Sequence, residues 1–269
     1  MMEIVNSVIL GIVQGATEFI PVSSSGHLIL AREILGMNVA YSLAFDAVLQ
    51  LATTLAVLVY FRKDIFGLVK NFFKFVARKN IEPKELILLK AVILGTIPAV
   101  VIGLFLEDSM DTLFRNSFLV AMSLIVGGLI MFFAERFSKR YAEKNVDLNV
   151  KRGIGVGFFQ ALALIPGFSR SGMTISGGLF LGLKREEATR FAFVLAFPVL
   201  LGAGLKKLLD LGSNGVLNSI GIELFAGSLA SFFVGILAIH FLVTFLKKHT
   251  MNAFVVYRFV LAIAVLFFV

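Results

Sequence analysis

Glu18, His27 and Arg170 are ionisable side chains set inside stretches of otherwise apolar sequence. Charge in such surroundings is expensive, and it marks functional sites by default. The three fall in two segments that are spelled alike. The first runs Gly11-Ile-Val-Gln14-Gly-Ala-Thr-Glu18-Phe-Ile-Pro21-Val-Ser23-Ser24-Ser25-Gly26-His27. The second runs Gly157-Phe-Phe-Gln160-Ala-Leu-Ala-Leu-Ile-Pro166-Gly-Phe-Ser169-Arg170-Ser171-Gly172. Each opens an apolar helix with G-x-x-Q, meets a proline and continues into a Ser/Gly-rich turn. The spans from leading to closing glycine are equal, with the proline shifted by one residue.

Gln14 and Glu18 are four residues apart and share one helix face, so both can serve one spot. A carboxylate there can hold a divalent cation, act as a general base, or sit in a structural hydrogen-bond network. Gln14 is a ligand or a packing amide. Ser23-Ser24-Ser25-Gly26 ends one half-helix and caps the next, which is expected to begin near His27. Serine is a favoured N-cap, and a helix start presents free N–H groups that suit phosphate. The His27 ring can reach whatever sits at that cap. Pro166 to Gly172 repeats the device with a guanidinium in the turn. Arginine binds phosphate oxygens bidentately, so Arg170 at this depth wants a phosphate or the carboxylate of Glu18. Ser169, Ser171, Thr174 and Ser176 add hydroxyls at the second helix start, which Gly172 leaves open.

Other polar residues carry weaker signals. Asp46 and Gln50 lie four apart at the outer end of a crossing helix, where they extend the site or face headgroups. Lys90, Lys206 and Arg258 sit near helix ends and are expected to snorkel. His240 lies in a long apolar run with no evident partner and is expected to pack. Neither a P-loop, an H-E-x-x-H zinc helix nor a G-x-S-x-G elbow occurs.

The elements that position these residues follow from composition. The chain is 58% hydrophobic and 16% charged over 269 residues, well outside soluble usage, and it has no cysteine for disulfide or thiolate chemistry. The net charge of +8 sits in loops between apolar runs, which reads as retention of basic loops in the cytoplasm rather than nucleic-acid binding. The N-terminus has no basic region or cleavage site, so no removable signal peptide is expected. Crossing a bilayer takes roughly 17–25 helical residues. Six segments are expected to do so: Phe45–Phe61, Leu86–Leu106, Ser117–Ala134, Phe191–Leu205, Ile220–Leu246 and Ala253–Val269. Phe191–Leu205 is short and carries Pro198.

The two motif regions, about 4–35 and 153–183, are cut near the middle into half-helices too short to span. They read as re-entrant hairpins, tolerated only where the broken backbone is buried in protein or lines a cavity. Arg62–Glu85 holds seven Lys/Arg against three acids, Glu135–Arg152 six against three, and Glu107–Asn116 one against three. Glu107–Asn116 therefore faces out, and the hairpins enter from opposite faces. The expected fold is an all-α polytopic membrane protein, with about six transmembrane helices and two re-entrant helical hairpins in an inverted-topology repeat. It forms one domain, residues 1–269, with repeat 1 about 1–134 and repeat 2 about 150–269, and a site between the hairpins near the midplane.

These motifs resemble the undecaprenyl-diphosphate phosphatase family, integral-membrane enzymes linked to bacitracin resistance. G-x-x-Q-G-x-T-E-F-I-P-V-S-S-S-G-H at 11–27 and P-G-F-S-R-S-G-x-T-I-S-G-G at 166–178 carry the likeness. F-D-A-V-L-Q-L at 45–51 and V-V-Y-R-F at 255–259 add to it, so it covers essentially the whole chain. The resemblance implies hydrolysis of a polyprenyl diphosphate carrier to its monophosphate and inorganic phosphate, recycling the carrier for cell-wall synthesis. It places catalytic roles on Glu18, Ser24, His27 and Arg170, and substrate contacts on Gln14, Ser23, Ser25, Gly26, Ser169, Ser171, Gly172 and Thr174.

The resemblance also implies a divalent cation, Mg²⁺ or Ca²⁺, held partly by Glu18. Family members often carry Glu where this chain has Gln14, so a two-carboxylate metal site is not expected here. The implied setting is the bacterial plasma membrane, among membrane lipids, with a site reached from the outer face. Bacitracin would compete for the lipid substrate rather than bind the protein, and a homodimer stays open. Type-2 phosphatidic-acid phosphatases share the S-G-H and S-R echoes, but the histidine expected six residues after their arginine is Ser176 here. Three schemes follow: attack by Ser24 with His27 as base, attack by water oriented by His27 and Glu18, or attack by His27 itself. A lipid-phosphate transporter using the same anion site is the rival class, because broken helices at the midplane bind anionic cargo equally well.

Overall fold

Backbone in lipid has no water to bond, so apolar stretches of this length satisfy themselves as helices. Every regular element among the described residues is one. The computed structural model describes residues 4–36, 42–106, 117–140, 146–213 and 217–268. In chain order the helices are α1 (Ile4–Phe19), α2 (Ser24–Ile34), α3 (Ser42–Tyr60), α4 (Arg62–Val76), α5 (Pro83–Leu106), α6 (Ser117–Arg140), α7 (Val150–Leu162), α8 (Arg170–Phe180), α9 (Arg185–Ser213), α10 (Leu217–Lys248) and α11 (Asn252–Phe268). The loop Glu107–Asn116, which anchors the orientation argument, lies outside the described residues.

All six expected segments are helical, with changed lengths. Four helices among the described residues, α5, α6, α9 and α10, are long and apolar enough to cross a membrane, and the pair α3–α4, bent by 88°, passes the same test only when its two arms are taken together. This is a multi-pass membrane protein. α11 is a shorter apolar helix. Phe191–Leu205 is the middle of the 29-residue α9, which runs through Pro198 without ending. The expected hairpins are α1–α2 and α7–α8, each two helices joined by a short break.

Small residues bring the hairpins against long helices. α1 packs along α10 and α7 along α5. A Cβ on Gly11 would collide with the Gly227 carbonyl, and one on Gly157 with the Gly95 carbonyl, so backbone meets backbone at both crossings. Such close approach maximises dispersion contact where lipid supplies no hydrophobic drive. The first hairpin thus leans on a helix of the second half, and the second hairpin on a helix of the first. α6 packs along α11, and α3 lies between α9 and α10. Phe19, Met131, Met173, Phe193 and Met251 share the largest buried apolar cluster.

Buried charge ties the helix ends. Glu135 is 1% exposed and accepts from Arg185 Nε at 3.1 Å, Arg185 Nη2 at 2.5 Å and the Met251 N–H at 2.9 Å. It joins α6, the start of α9 and the turn before α11. Removing one partner of a buried pair strands the other, at about 3–5 kcal/mol. Arg185 is partly solvated, so Glu135→Ala is expected to cost toward the lower end of that range, read as a lower denaturation midpoint in detergent.

Two expectations change. Arg258 does not snorkel: it is 0% exposed, and its guanidinium donates to four backbone carbonyls. It faces the helix bundle rather than a membrane surface, solvated by the Gly167 and Phe168 carbonyls of the broken hairpin and the Ser123 and Leu124 carbonyls of α6. His240 has a partner: its Nδ1 lies 3.3 Å from the Tyr60 hydroxyl. Lys90 and Lys206 are exposed, as expected.

Candidate active site

The two breaks are built alike. Ser23 (φ 74°, ψ 102°) and Ser169 (φ 69°, ψ 115°) immediately precede α2 and α8 in the same left-handed conformation. A non-glycine residue held there stores about 1–3 kcal/mol, and such strain clusters at functional sites. This turn lets each helix start at once. α2 therefore begins at Ser24, three residues before the expected start near His27. Ser24 and Arg170 are the first residues of their helices and occupy the same place in the two hairpins. Ser169 Oγ caps α8 by accepting the Gly172 N–H at 3.3 Å, whereas no side chain caps α2. The helix starts adjoin: a Cβ on Gly172 would lie 3.4 Å from the Pro21 Cβ.

Glu18 is the centre. Its carboxylate accepts from Ser24 Oγ at 2.7 Å and Gln14 Nε2 at 2.9 Å on one oxygen, and from Gln50 Nε2 at 3.1 Å on the other. Arg170 Nη1 lies 3.6 Å from that second oxygen, near enough for charge attraction and too far for a hydrogen bond. That nitrogen is buried and has no hydrogen-bond acceptor among the described residues. An unsatisfied buried charged donor is costly, and an anion between the two hairpin turns would relieve it.

His27 faces away from Ser24. Its Nδ1 lies 2.7 Å from the Ser23 carbonyl, which can only accept, so Nδ1 carries the proton. Nε2 then accepts from the Tyr257 hydroxyl at 2.8 Å, and the two rings stack at 5.5 Å. The basic group beside Ser24 is therefore Glu18. His27 braces the left-handed Ser23 carbonyl that orients the start of α2.

The remaining expected residues take supporting positions. Ser169 and Ser171 hydroxyls lie 3.2 Å apart, and Thr174 Oγ1 donates to the Arg170 carbonyl at 2.8 Å, inside its own helix. Ser25 is half-buried beside Ser24. Gly26 packs against Val120, Leu124 and Leu261 rather than toward Glu18. Asp46 does not extend the site, because its carboxylate is paired with Arg32. Gln160, which stands where Gln14 stands in the first hairpin, is buried with neither amide atom bonded among the described residues. Leu164 occupies the place of Glu18 in that half, so the amide has no carboxylate to meet.

Two contributors were undervalued by sequence reasoning. Gln50 reaches Glu18 from α3. Arg258 Nη1 donates to the Phe168 carbonyl at 3.1 Å and Nη2 to the Gly167 carbonyl at 2.8 Å, holding the turn that leads into Ser169 and Arg170. Tyr257 and Arg258 thus connect α11 to both hairpins. The signal was an Arg beside a Tyr in an apolar helix, and an intramembrane arginine rarely lacks a task.

The donor set also tests whether a cation fits. Among the described residues no three His, Cys, Asp or Glu side chains converge. Glu18 and the Ser24 hydroxyl beside it are hard oxygen donors, while Gln14 and Gln50 turn their Nε2 groups to the carboxylate. Mg²⁺ is commonly held by one or two carboxylates plus substrate phosphates rather than by an all-protein cage. The residues fit a cation shared with a phosphate ligand.

Comparison with known proteins identifies the family. Residues 7–264 match the family described as "Bacitracin resistance protein BacA". The chain is 43% identical over 265 residues to a protein named undecaprenyl-diphosphatase from Elusimicrobium minutum, covering 98% of each. It is 41% identical over 266 residues to the undecaprenyl-diphosphatase of Thermobifida fusca, covering 98% of this chain and 90% of that one. With the undecaprenyl-diphosphatase of Rubrobacter xylanophilus the identity is 40% over 266 residues and 97% of each chain. On a match spanning nearly its whole length, with both hairpin motifs inside it, the chain belongs to the BacA family of bacitracin resistance proteins.

Proposed function

We propose that this protein hydrolyses undecaprenyl diphosphate to undecaprenyl phosphate and inorganic phosphate. The observation that carries the reading is the buried, unsatisfied Arg170 nitrogen set 3.6 Å from Glu18, whose other oxygen holds the Ser24 hydroxyl. The diphosphate enters between the two turns, where Arg170 and the N–H groups at the starts of α2 and α8 bind its oxygens. Ser24 Oγ attacks the terminal phosphorus while Glu18 takes its proton and passes it to the departing undecaprenyl phosphate. Glu18 then takes a proton from the attacking water and returns it to Ser24 Oγ as the phosphoserine bond breaks and phosphate is released. Little covalent work is asked of the protein beyond this, since phosphoryl transfer runs mainly on positioning and charge stabilisation. A Mg²⁺ or Ca²⁺ ion, held by Glu18 together with the substrate's own phosphate oxygens, would neutralise diphosphate charge.

Two features of the frame support the inverted repeat. The left-handed serines recur at equivalent places, and each hairpin packs on a long helix of the opposite half. Loop charge favours access from the outer face of the bacterial plasma membrane. Bacitracin resistance fits an enzyme that depletes the diphosphate lipid the antibiotic seeks.

Phosphate release from a long-chain polyprenyl diphosphate by the purified protein in detergent tests the reading, with and without chelator. Tight lipid binding by folded protein without any release would replace hydrolysis with transport. Tyr257→Phe removes one hydrogen bond worth about 1 kcal/mol, so kcat is expected to fall roughly fivefold with KM unchanged. A matched rise in KM would place Tyr257 in substrate binding instead.

A further inference from the structure

α4 takes no part in the site, yet its surface is sorted into three faces. It leaves α3 at 88°, where α3 ends at Tyr60, and the chain re-enters the bundle with α5 at Pro83. One face holds it to the protein: Asp64 pairs with Arg190, and Asn71 donates to Glu85 at 3.0 Å. A second face carries Phe66, Val69, Phe73 and Val76 at helical spacing, 62%, 47%, 64% and 65% exposed. The third carries Lys63, Lys70 and Lys74. A surface helix of a soluble protein buries its apolar stripe; here the stripe is the exposed one.

The helix ends in a basic turn. The Lys79 N–H bonds back to the Lys74 carbonyl at 2.9 Å, and Arg78 holds the left-handed position (φ 53°) where glycine is usual. Arg78 and Lys79 rim an open cleft of about 590 Å³ floored by Phe75, Val76, Ile81 and Leu86. Cations over an apolar floor match a phosphate joined to acyl chains.

We propose that α4 and the turn after it form a binding surface for anionic phospholipid, with one headgroup seated in the Arg78–Lys79 cleft. The phenylalanine face enters the acyl boundary beside α3 and α5, and the lysine face meets headgroup phosphates in the plane of the leaflet. Charge selects the lipid, because Arg62–Glu85 carries seven cations and three acids. A protein partner would have to cover an apolar face lying at the level where two membrane-crossing helices end, which lipid already occupies.

Native mass spectrometry of the full chain in neutral detergent tests this, with phosphatidylglycerol and phosphatidylcholine titrated in parallel. The wild type is expected to retain phosphatidylglycerol over phosphatidylcholine. In R78Q/K79Q that retention is expected to weaken about tenfold or more, at roughly 1 kcal/mol per basic residue. K70Q/K74Q serves as a second variant and should weaken retention likewise, and Lys247→Gln at the end of α10, which does not line the cleft, removes an exposed charge and should retain the lipid as the wild type does. Phosphate release in neutral micelles should be unchanged in all three, separating lost lipid binding from misfolding. Equal retention of both lipids, or undiminished phosphatidylglycerol binding by R78Q/K79Q, would overturn the proposal. So would full competition by inorganic phosphate at equal concentration, which would assign the cleft to a small anion.

Discussion

Arg170→Ala is expected to lower kcat/KM for polyprenyl diphosphate by about a thousandfold, while the protein stays folded. One preorganised donor aimed at developing charge contributes about 10²–10³ in rate, and a bidentate guanidinium supplies two. The fold should survive because Arg170 makes no hydrogen bond that another described side chain depends on; its one charge partner, Glu18, keeps three donors. Arg170→Lys keeps the charge and loses the fork, so it should recover only part of the rate. The measurement is phosphate release against substrate concentration, with a detergent melting curve on each variant. A variant keeping more than a tenth of wild-type kcat/KM would remove Arg170 from the site.

Ser24→Ala is expected to abolish turnover, with kcat down about a thousandfold or more and KM little changed. Loss of a nucleophile costs orders of magnitude in the chemical step, and the backbone N–H groups that bind phosphate remain. In the proposed scheme Glu18 is the base for Ser24. Ser24 Oγ is 2.7 Å from Glu18, while both His27 nitrogens are engaged with Ser23 and Tyr257. In wild-type protein a phosphoserine scheme should release undecaprenyl phosphate ahead of inorganic phosphate in a single turnover. If Ser24→Ala retained a tenth of kcat, Glu18 would be orienting water for direct attack, and the phosphoserine would be absent. His27→Ala should be milder than either, because His27 acts through the Ser23 carbonyl.

Much of this was legible in the chain. Hydropathy determined the class, because a backbone in hydrocarbon has few ways to satisfy itself. Pro followed by a Ser/Gly-rich turn marked the two breaks, where proline alone marks none: α9 runs through Pro198. Glu18, Ser24 and Arg170 stood out because ionisable or clustered polar groups at that depth need partners. Those are local properties, and i, i+4 spacing alone put Gln14 beside Glu18.

The tertiary structure decided what local pattern leaves open. His27 meets Tyr257 across 230 residues, and Arg258 reaches Gly167 across 91. Periodicity says that a helix has a face, but not which other helix lies against it. For that reason Arg258 read as a snorkelling end residue, Gln50 as marginal, and the role of His27 stayed open among three schemes. The start of α2 shifted for a related cause: Ser23 adopts a strained conformation that no propensity favours, held by the His27 ring. The 88° bend at Phe61 between α3 and α4 likewise depends on tertiary contacts, with Asp64 and Asn71 meeting Arg190 and Glu85. Composition and spacing determined which residues are the candidates for the chemistry, and packing between distant helices decided how they are aimed.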